Sequence, residues 1–232
     1  MGYIKIIQTG NLIERYEYQK EVIPDPRFGR HNKRDRHFKP YRRASSVFRA
    51  RVAFLRLVQA NLLRPEVPSL LTLTFKGVVG LKEAWREYTL FAQRLRNKIP
   101  SAVLLTVAEF QKRGAVHFHS LVWGLGDLYV SERQTRYLAN IWRSGFLDII
   151  RTNGSPSLGG YLAKYLVKSY LDQRFQGFKL YSGSRSLFRP VTFRSKLQTD
   201  FIGEMLENAT CQKSVSYDTK WLGRCDYQKY IL

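Results

Sequence analysis

Two apolar runs, residues 101–110 and 115–123, do most to constrain the fold; they are joined by Gln111-Lys112-Arg113-Gly114. Both runs are rich in Val, Leu, Ala and Phe, the composition of buried strands. The polar tetrad between them reads as a hairpin connection, with Gly114 free to take positive φ. A hairpin of this length fixes its own register. With the turn centred on residue 113, Glu109 lies directly across from His117.

Alternation along the second strand then sorts its side chains. His117 and His119 point the same way, and Phe118 points into the core. Cross-strand neighbours lie roughly 5 Å apart at Cβ, so Glu109 converges with both imidazoles on one spot. Two imidazoles and one carboxylate are short of a closed metal shell and leave positions for water or phosphate oxygens. Mixed nitrogen and oxygen ligation at an open site suits Mn²⁺ or Mg²⁺, and also Zn²⁺. The plainer alternative is a polar outer face carrying two surface histidines.

A second segment, Tyr161-Leu162-Ala163-Lys164-Tyr165-Leu166-Val167-Lys168, has helical character. Leu158, Leu162, Leu166 and Leu171 predict an apolar stripe, and Ser155 followed by Pro156 marks the start. Gly159 and Gly160 allow the backbone to approach another element closely. Tyr161 and Tyr165 are four apart and share a face, and Lys164 and Lys168 each follow a tyrosine by three. A tyrosine with its ordinary pKa near 10 is only about a thousandth ionised at neutral pH. Attack on phosphate therefore needs an ammonium beside the phenol or a cation on the phosphate. The alternative is an amphipathic helix with half-buried tyrosines and solvated lysines.

These segments together resemble the HUH endonuclease superfamily, in the branch of rolling-circle replication initiators from small single-stranded DNA phages and related plasmids. Three motifs stand in that family's order. Leu70-Leu71-Thr72-Leu73-Thr74-Phe75 looks like the first, His117-Phe118-His119 the second, and Tyr161-Leu162-Ala163-Lys164-Tyr165 the third in its two-tyrosine form. The likeness spans residues 68–170. It implies an α+β fold, with a central antiparallel sheet of about five strands and flanking helices packed mainly on one side. It implies that Glu109, His117 and His119 hold a divalent cation, Mn or Mg. It also implies that Tyr161 attacks to form a 5′-phosphotyrosine, that Tyr165 serves the second transfer, and that Lys164 orients the phosphate. Both tyrosines carry a lysine three residues on, so their order of action stays open, with Tyr161 favoured by the neighbouring glycines; an enzyme with one nucleophile and a purely structural Tyr165 stays open as well. A transposase or mobilisation nuclease of the same chemistry is the nearest alternative. A non-catalytic basic nucleic-acid binder is the alternative of another class.

Charge points to the same partner. The chain has 39 Lys and Arg against 18 Asp and Glu, a formal net charge of +21. Such a field draws in phosphate and predicts steep salt dependence. Residues 27–51 hold ten Lys and Arg to one acid, Asp35. Arg30, Lys33, Arg34, Arg36, Arg42 and Arg43 read as a basic arm against a DNA backbone, or as a solvated charged loop. Lys168 and Arg185 are further candidates for phosphate contact, the latter within Tyr181-Ser182-Gly183-Ser184-Arg185. His31 and His37 lie in the arm without a carboxylate at useful spacing and are not read as ligands.

The chain divides on this reading into a basic arm and helix over 1–66, the nuclease core over 67–175, and an extension of the same domain over 176–232. Apolar periodicity predicts helices over 44–62 (with Phe48, Val52, Leu55 and Leu62 inward), 81–98, 131–143 and 194–208, and strands over 69–76 and 146–151. The last twenty residues read as short strands or a tail anchored by Trp221. No apolar run of eighteen residues exists, so neither a membrane span nor a signal peptide is expected, and a cytoplasmic setting follows. Cys211 and Cys225 are sparse enough for a reducing compartment, and their pairing stays open. The chain has no Gly-x-x-x-x-Gly-Lys-Ser/Thr phosphate loop, so unwinding of an origin would fall to a host helicase and synthesis to a host polymerase.

Overall fold

The computed structural model describes residues 3–20, 44–126, 132–220 and 222–232. In chain order the elements are β1 (Tyr3–Thr9), β2 (Leu12–Tyr18), α1 (Ala44–Asn61), β3 (Ser69–Phe75), α2 (Leu81–Lys98), β4 (Val103–Phe110), β5 (Val116–Trp123), α3 (Glu132–Trp142), β6 (Gly145–Arg151), α4 (Ser157–Leu171), β7 (Tyr181–Gly183), β8 (Val191–Phe193), α5 (Lys196–Leu206), β9 (Cys211–Thr219) and β10 (Gly223–Ile231). The fold is α+β: five helices and two five-stranded antiparallel sheets among the described residues. These group into two compact units, 42–188 and the paired termini 1–41 with 189–232.

In the unit formed by 42–188 the strand order is β6-β3-β5-β4-β7. The hairpin supplies the central strand β5 and its neighbour β4, and every residue of β5 is buried. Helices cover both faces, not mainly one as the sequence predicts. On one face Phe118 packs against Trp85 and Tyr88 of α2, each at 4.9 Å between ring centroids. On the other face α1 and α4 lie over the β5–β4–β7 side, where Phe54 meets Tyr181 edge-on at 5.4 Å. Covering a sheet on both faces explains the nearly unbroken apolar sequence of β4 and β5. The polar exceptions on the α2 side satisfy one another. The Tyr88 hydroxyl lies 2.5 Å from Thr106 Oγ1, which is 2.7 Å from Ser120 Oγ.

The turn between β4 and β5 closes as expected, with Gln111 N–H donating to the Ala115 carbonyl at 2.8 Å and Gly114 at φ 85°. Helix α2 spans the predicted 81–98 and buries Leu81, Tyr88, Ala92 and Leu95, with Trp85 half-buried. Other details differ. In α1 Phe54, Leu57 and Val58 are buried, Leu55 packs partly buried against the core as does Leu62 just beyond the helix, and Phe48 is exposed. Helix α4 begins at Ser157 with Pro156 as its flanking residue, and Ser155 Oγ accepts the Ser157 N–H at 3.3 Å. Leu162 and Leu166 are buried, but Leu171 at the helix end is exposed. Gly159 does permit a close approach: a Cβ there would sit 3.3 Å from Leu55 Cδ2 of α1. Residues 181–183 form the edge strand β7, bonded to β4, where the sequence reads more readily as a loop.

The other unit pairs segments from the two ends of the chain. Its strand order is β8-β1-β2-β10-β9, with Tyr18 opposite Cys225 and Leu12 opposite Ile231. Helix α5 closes one face, its Leu206 clustering with Ile6, Ile13 and Tyr230. The two cysteines are both free, Cys211 exposed and Cys225 buried. Trp221 lies outside the described residues. Among the described residues no helix is long and apolar enough to cross a membrane.

Candidate active site

The hairpin register places Glu109 opposite His117 and Val107 opposite His119. All three polar side chains are buried, at 8%, 9% and 7% exposure for Glu109, His117 and His119. His119 Nε2 lies 3.1 Å from Glu109 Oε2, and its Nδ1 lies 3.4 Å from Thr72 Oγ1 on β3. The second carboxylate oxygen of Glu109 accepts a hydrogen bond from Lys168 Nζ of α4. His117 Nε2 is buried without a hydrogen-bond partner.

Burial lowers the pKa of both histidines. For His117 the neighbouring His119 adds to that effect and Glu109 opposes it. For His119 the hydrogen bond to Glu109 opposes it. Both rings are therefore neutral near pH 7, so the His119–Glu109 contact is a hydrogen bond to a carboxylate and not an ion pair. Neutral imidazoles keep a lone pair for a metal or a donor.

Helix α4 brings the tyrosines over this face. The Tyr165 ring stacks on His119, with centroids 3.9 Å apart and planes 14° apart. Its hydroxyl donates to the Tyr161 hydroxyl at 2.8 Å. Tyr161 is 40% exposed and Tyr165 half-buried. Burial first, then the bond to Tyr161, push the Tyr165 pKa up. This is opposite to the activation by a neighbouring ammonium that the Tyr-x-x-Lys spacing predicts. The reason is that Lys168 is engaged by Glu109, and Lys164 Nζ stands 6.0 Å from the Tyr161 ring centroid. An open cleft of about 630 Å³ is lined by Glu109, Gln111, Lys112, Arg113, His117, His119, Tyr165 and Lys168.

The donor chemistry of Glu109, His117 and His119 fits a divalent cation, and the orphaned Nε2 of His117 is an atom such an ion would satisfy. Yet among the described residues no group of three or more His, Cys, Asp or Glu side chains is arranged as a metal cage. The Lys168 ammonium on Glu109 and the direct His119–Glu109 bond account for that: the carboxylate is turned to two donors already. Lys168, read from sequence as a phosphate contact, thus reaches Glu109 from the exposed edge of the cluster.

Arg185 is exposed just past the edge strand β7 and does not line the cleft. Arg30, Lys33, Arg34, Arg36, Arg42 and Arg43, with His31 and His37, lie outside the described residues or have undescribed side chains. Three residues at the site escape the sequence reading. Thr72 touches His119, and its register with that strand was the available signal. Lys112 and Arg113 form the hairpin tip at the mouth of the cleft, legible only as turn residues.

Comparison with known proteins returns one finding. No curated protein and no solved structure matches the chain. Residues 68–170 match the family model described as replication-associated protein ORF2/G2P. That segment begins just before β3 and ends within α4, so it contains the histidine hairpin and both tyrosines. Over residues 68–170, then, this chain is similar to the replication-associated protein ORF2/G2P family.

Proposed function

We propose that the protein is a rolling-circle replication initiator that nicks and rejoins single-stranded origin DNA through a tyrosine ester. The observation that carries this is the stack of Tyr165 on His119, which puts two phenols linked by a hydrogen bond over the Glu109–His117–His119 cluster. A helix of tyrosines lying anywhere else on the sheet would leave the buried histidines without a reacting partner.

In this reading Glu109, His117 and His119 hold a divalent cation, manganese or magnesium, once Lys168 turns away from Glu109. The chemistry that ion supplies is charge neutralisation on the phosphate. The protein's own groups do the rest. The Tyr161 oxygen bonds to phosphorus, its proton passing to water, and the bond from phosphorus to the 3′ oxygen breaks. That oxygen takes a proton from water and leaves as a 3′-hydroxyl, which primes synthesis, and the DNA 5′ end stays esterified to the enzyme. Tyr161 is suited to act first because it is the more exposed of the two phenols, and its oxygen accepts the hydrogen bond from Tyr165. Tyr165, held protonated by burial, serves the second transfer. Lys164 and the released Lys168 stabilise charge on the phosphate oxygens. Each transfer exchanges one phosphodiester for another, so no nucleotide hydrolysis is required. A host helicase and polymerase, in the host cytoplasm, complete replication.

The test is incubation with end-labelled single-stranded DNA carrying the origin, with Mn²⁺. A protein–DNA band that survives denaturation is expected, and it is expected to vanish in the Tyr161→Phe, Tyr165→Phe double variant. A band persisting in that variant would refute the assignment.

A further inference from the structure

The face of the sheet that carries the histidines extends beyond them. Glu109, His117, Thr74 and Phe146 pair in succession across β4, β5, β3 and β6, forming one row. Val107, His119, Thr72 and Asp148 form the next. Helices α1 and α4 cover the β4–β7 side of this face, as the Tyr165–His119 and Phe54–Tyr181 contacts show. Among the described residues, no helix covers the β6 side of this face. Phe146 is 70% exposed and Ile150 53%. With strands ~4.8 Å apart, Phe146 stands roughly 10 Å from His117 along the row.

A lone exposed aromatic is ordinary on a protein surface. Its place in the row is what gives Phe146 meaning. The same end of the sheet also collects cations. Lys76 follows β3, Arg143 precedes β6, and Lys112 and Arg113 precede β5, and all four are exposed. A flat aromatic beside a line of cations is how proteins hold unpaired nucleotides: bases stack on rings and phosphates track the charge. Asp148, one row further in, repels phosphate, so a bound strand would turn its phosphates toward the cationic end and its bases toward the sheet.

We propose that the β6 side of this face binds single-stranded DNA flanking the reacting phosphate, with Phe146 stacking on a base and Lys76, Arg143, Lys112 and Arg113 meeting phosphates. The inference rests on the proposed function, since it takes the Glu109–His119 cluster as the point of reaction. It assigns the strand a direction of exit from the cleft: across β3 to β6, away from α4.

The test is fluorescence anisotropy with a labelled, unstructured oligodeoxynucleotide in EDTA, where no cleavage occurs. Phe146→Ala is expected to weaken binding about tenfold, the scale of one lost base–aromatic stack. Phe146→Trp is expected to keep the affinity, and its new indole emission should be quenched as the strand saturates. Because the side chain is exposed, neither variant endangers the fold. Unchanged affinity in Phe146→Ala, or no quenching in Phe146→Trp, overturns the inference. So does a dimer in sedimentation that Phe146→Ala dissociates while strand affinity holds, which would make β6 an interface between copies. A tyrosine-dependent adduct together with unchanged affinity in Phe146→Ala sinks this inference and leaves the chemistry standing. Weakened binding in Phe146→Ala with no adduct in the wild type keeps β6 as a strand-binding surface but overturns the placing of a reacting phosphate beside it.

Discussion

Tyr88 shows how a buried polar group ties this fold to pH. Its hydroxyl sits in the core against Thr106, and burial pushes its pKa up to about 12 from 10.0. Between those values the unfolded chain loses the phenolic proton and the folded one keeps it. The unfolded state then binds fewer protons, so stability falls as pH rises through that window, by about 2–3 kcal/mol for this residue alone. Below pH 10 the contribution is constant. Denaturant midpoints measured from pH 9 to 12 should therefore drop less steeply in Tyr88→Phe than in the wild type. Equal slopes would show that Tyr88 ionises freely in the fold. At the candidate site the same scale shows what was legible in sequence. Glu109 opposite His117 follows from strand alternation and one turn, both local. The grip of Lys168 on Glu109 joins residues fifty-nine apart on different elements, and no spacing rule encodes it.

The hairpin is the element on which the site depends, and Gly114 sets its register. Its φ of 85° lies where a side chain strains the backbone, although a Cβ there would meet nothing within 4 Å. The cost of Gly114→Ala is thus conformational alone, about 1 kcal/mol or somewhat more. A correspondingly lower midpoint in chemical denaturation is expected, with a smaller loss for Gly114→Asn, which tolerates that region better. No loss in Gly114→Ala would mean the turn re-forms in another geometry. The helices were unevenly legible for a physical reason. Helix α2 is strongly amphipathic and its buried stripe is readable. Helix α1 offers apolar residues on several sides, so the stripe through Phe48 competes with the one through Phe54, Leu57 and Val58, and only packing decides between them.

At the scale of the molecule, the sheet built from both chain ends was the least legible part. Strand β2 and strand β10 each alternate well enough to be strands, but their pairing spans more than two hundred residues and depends on nothing either segment contains alone. Net charge, in contrast, is a whole-chain quantity that the sequence gives without folding. With +21 on the protein, single-strand affinity in EDTA should fall linearly on a log–log plot against salt. Four or five neutralised phosphates correspond to a slope of about −3. Titrations between 50 and 300 mM salt would read it, and a flat response would argue that charge does not drive binding.

The position of β5 has one more consequence. It is hydrogen-bonded on both edges, to β3 and to β4, and buried along its whole length. Its backbone amides are therefore expected to be among the slowest in this unit to exchange with solvent, and hydrogen exchange at His117 and His119 is expected to follow the unit's global unfolding.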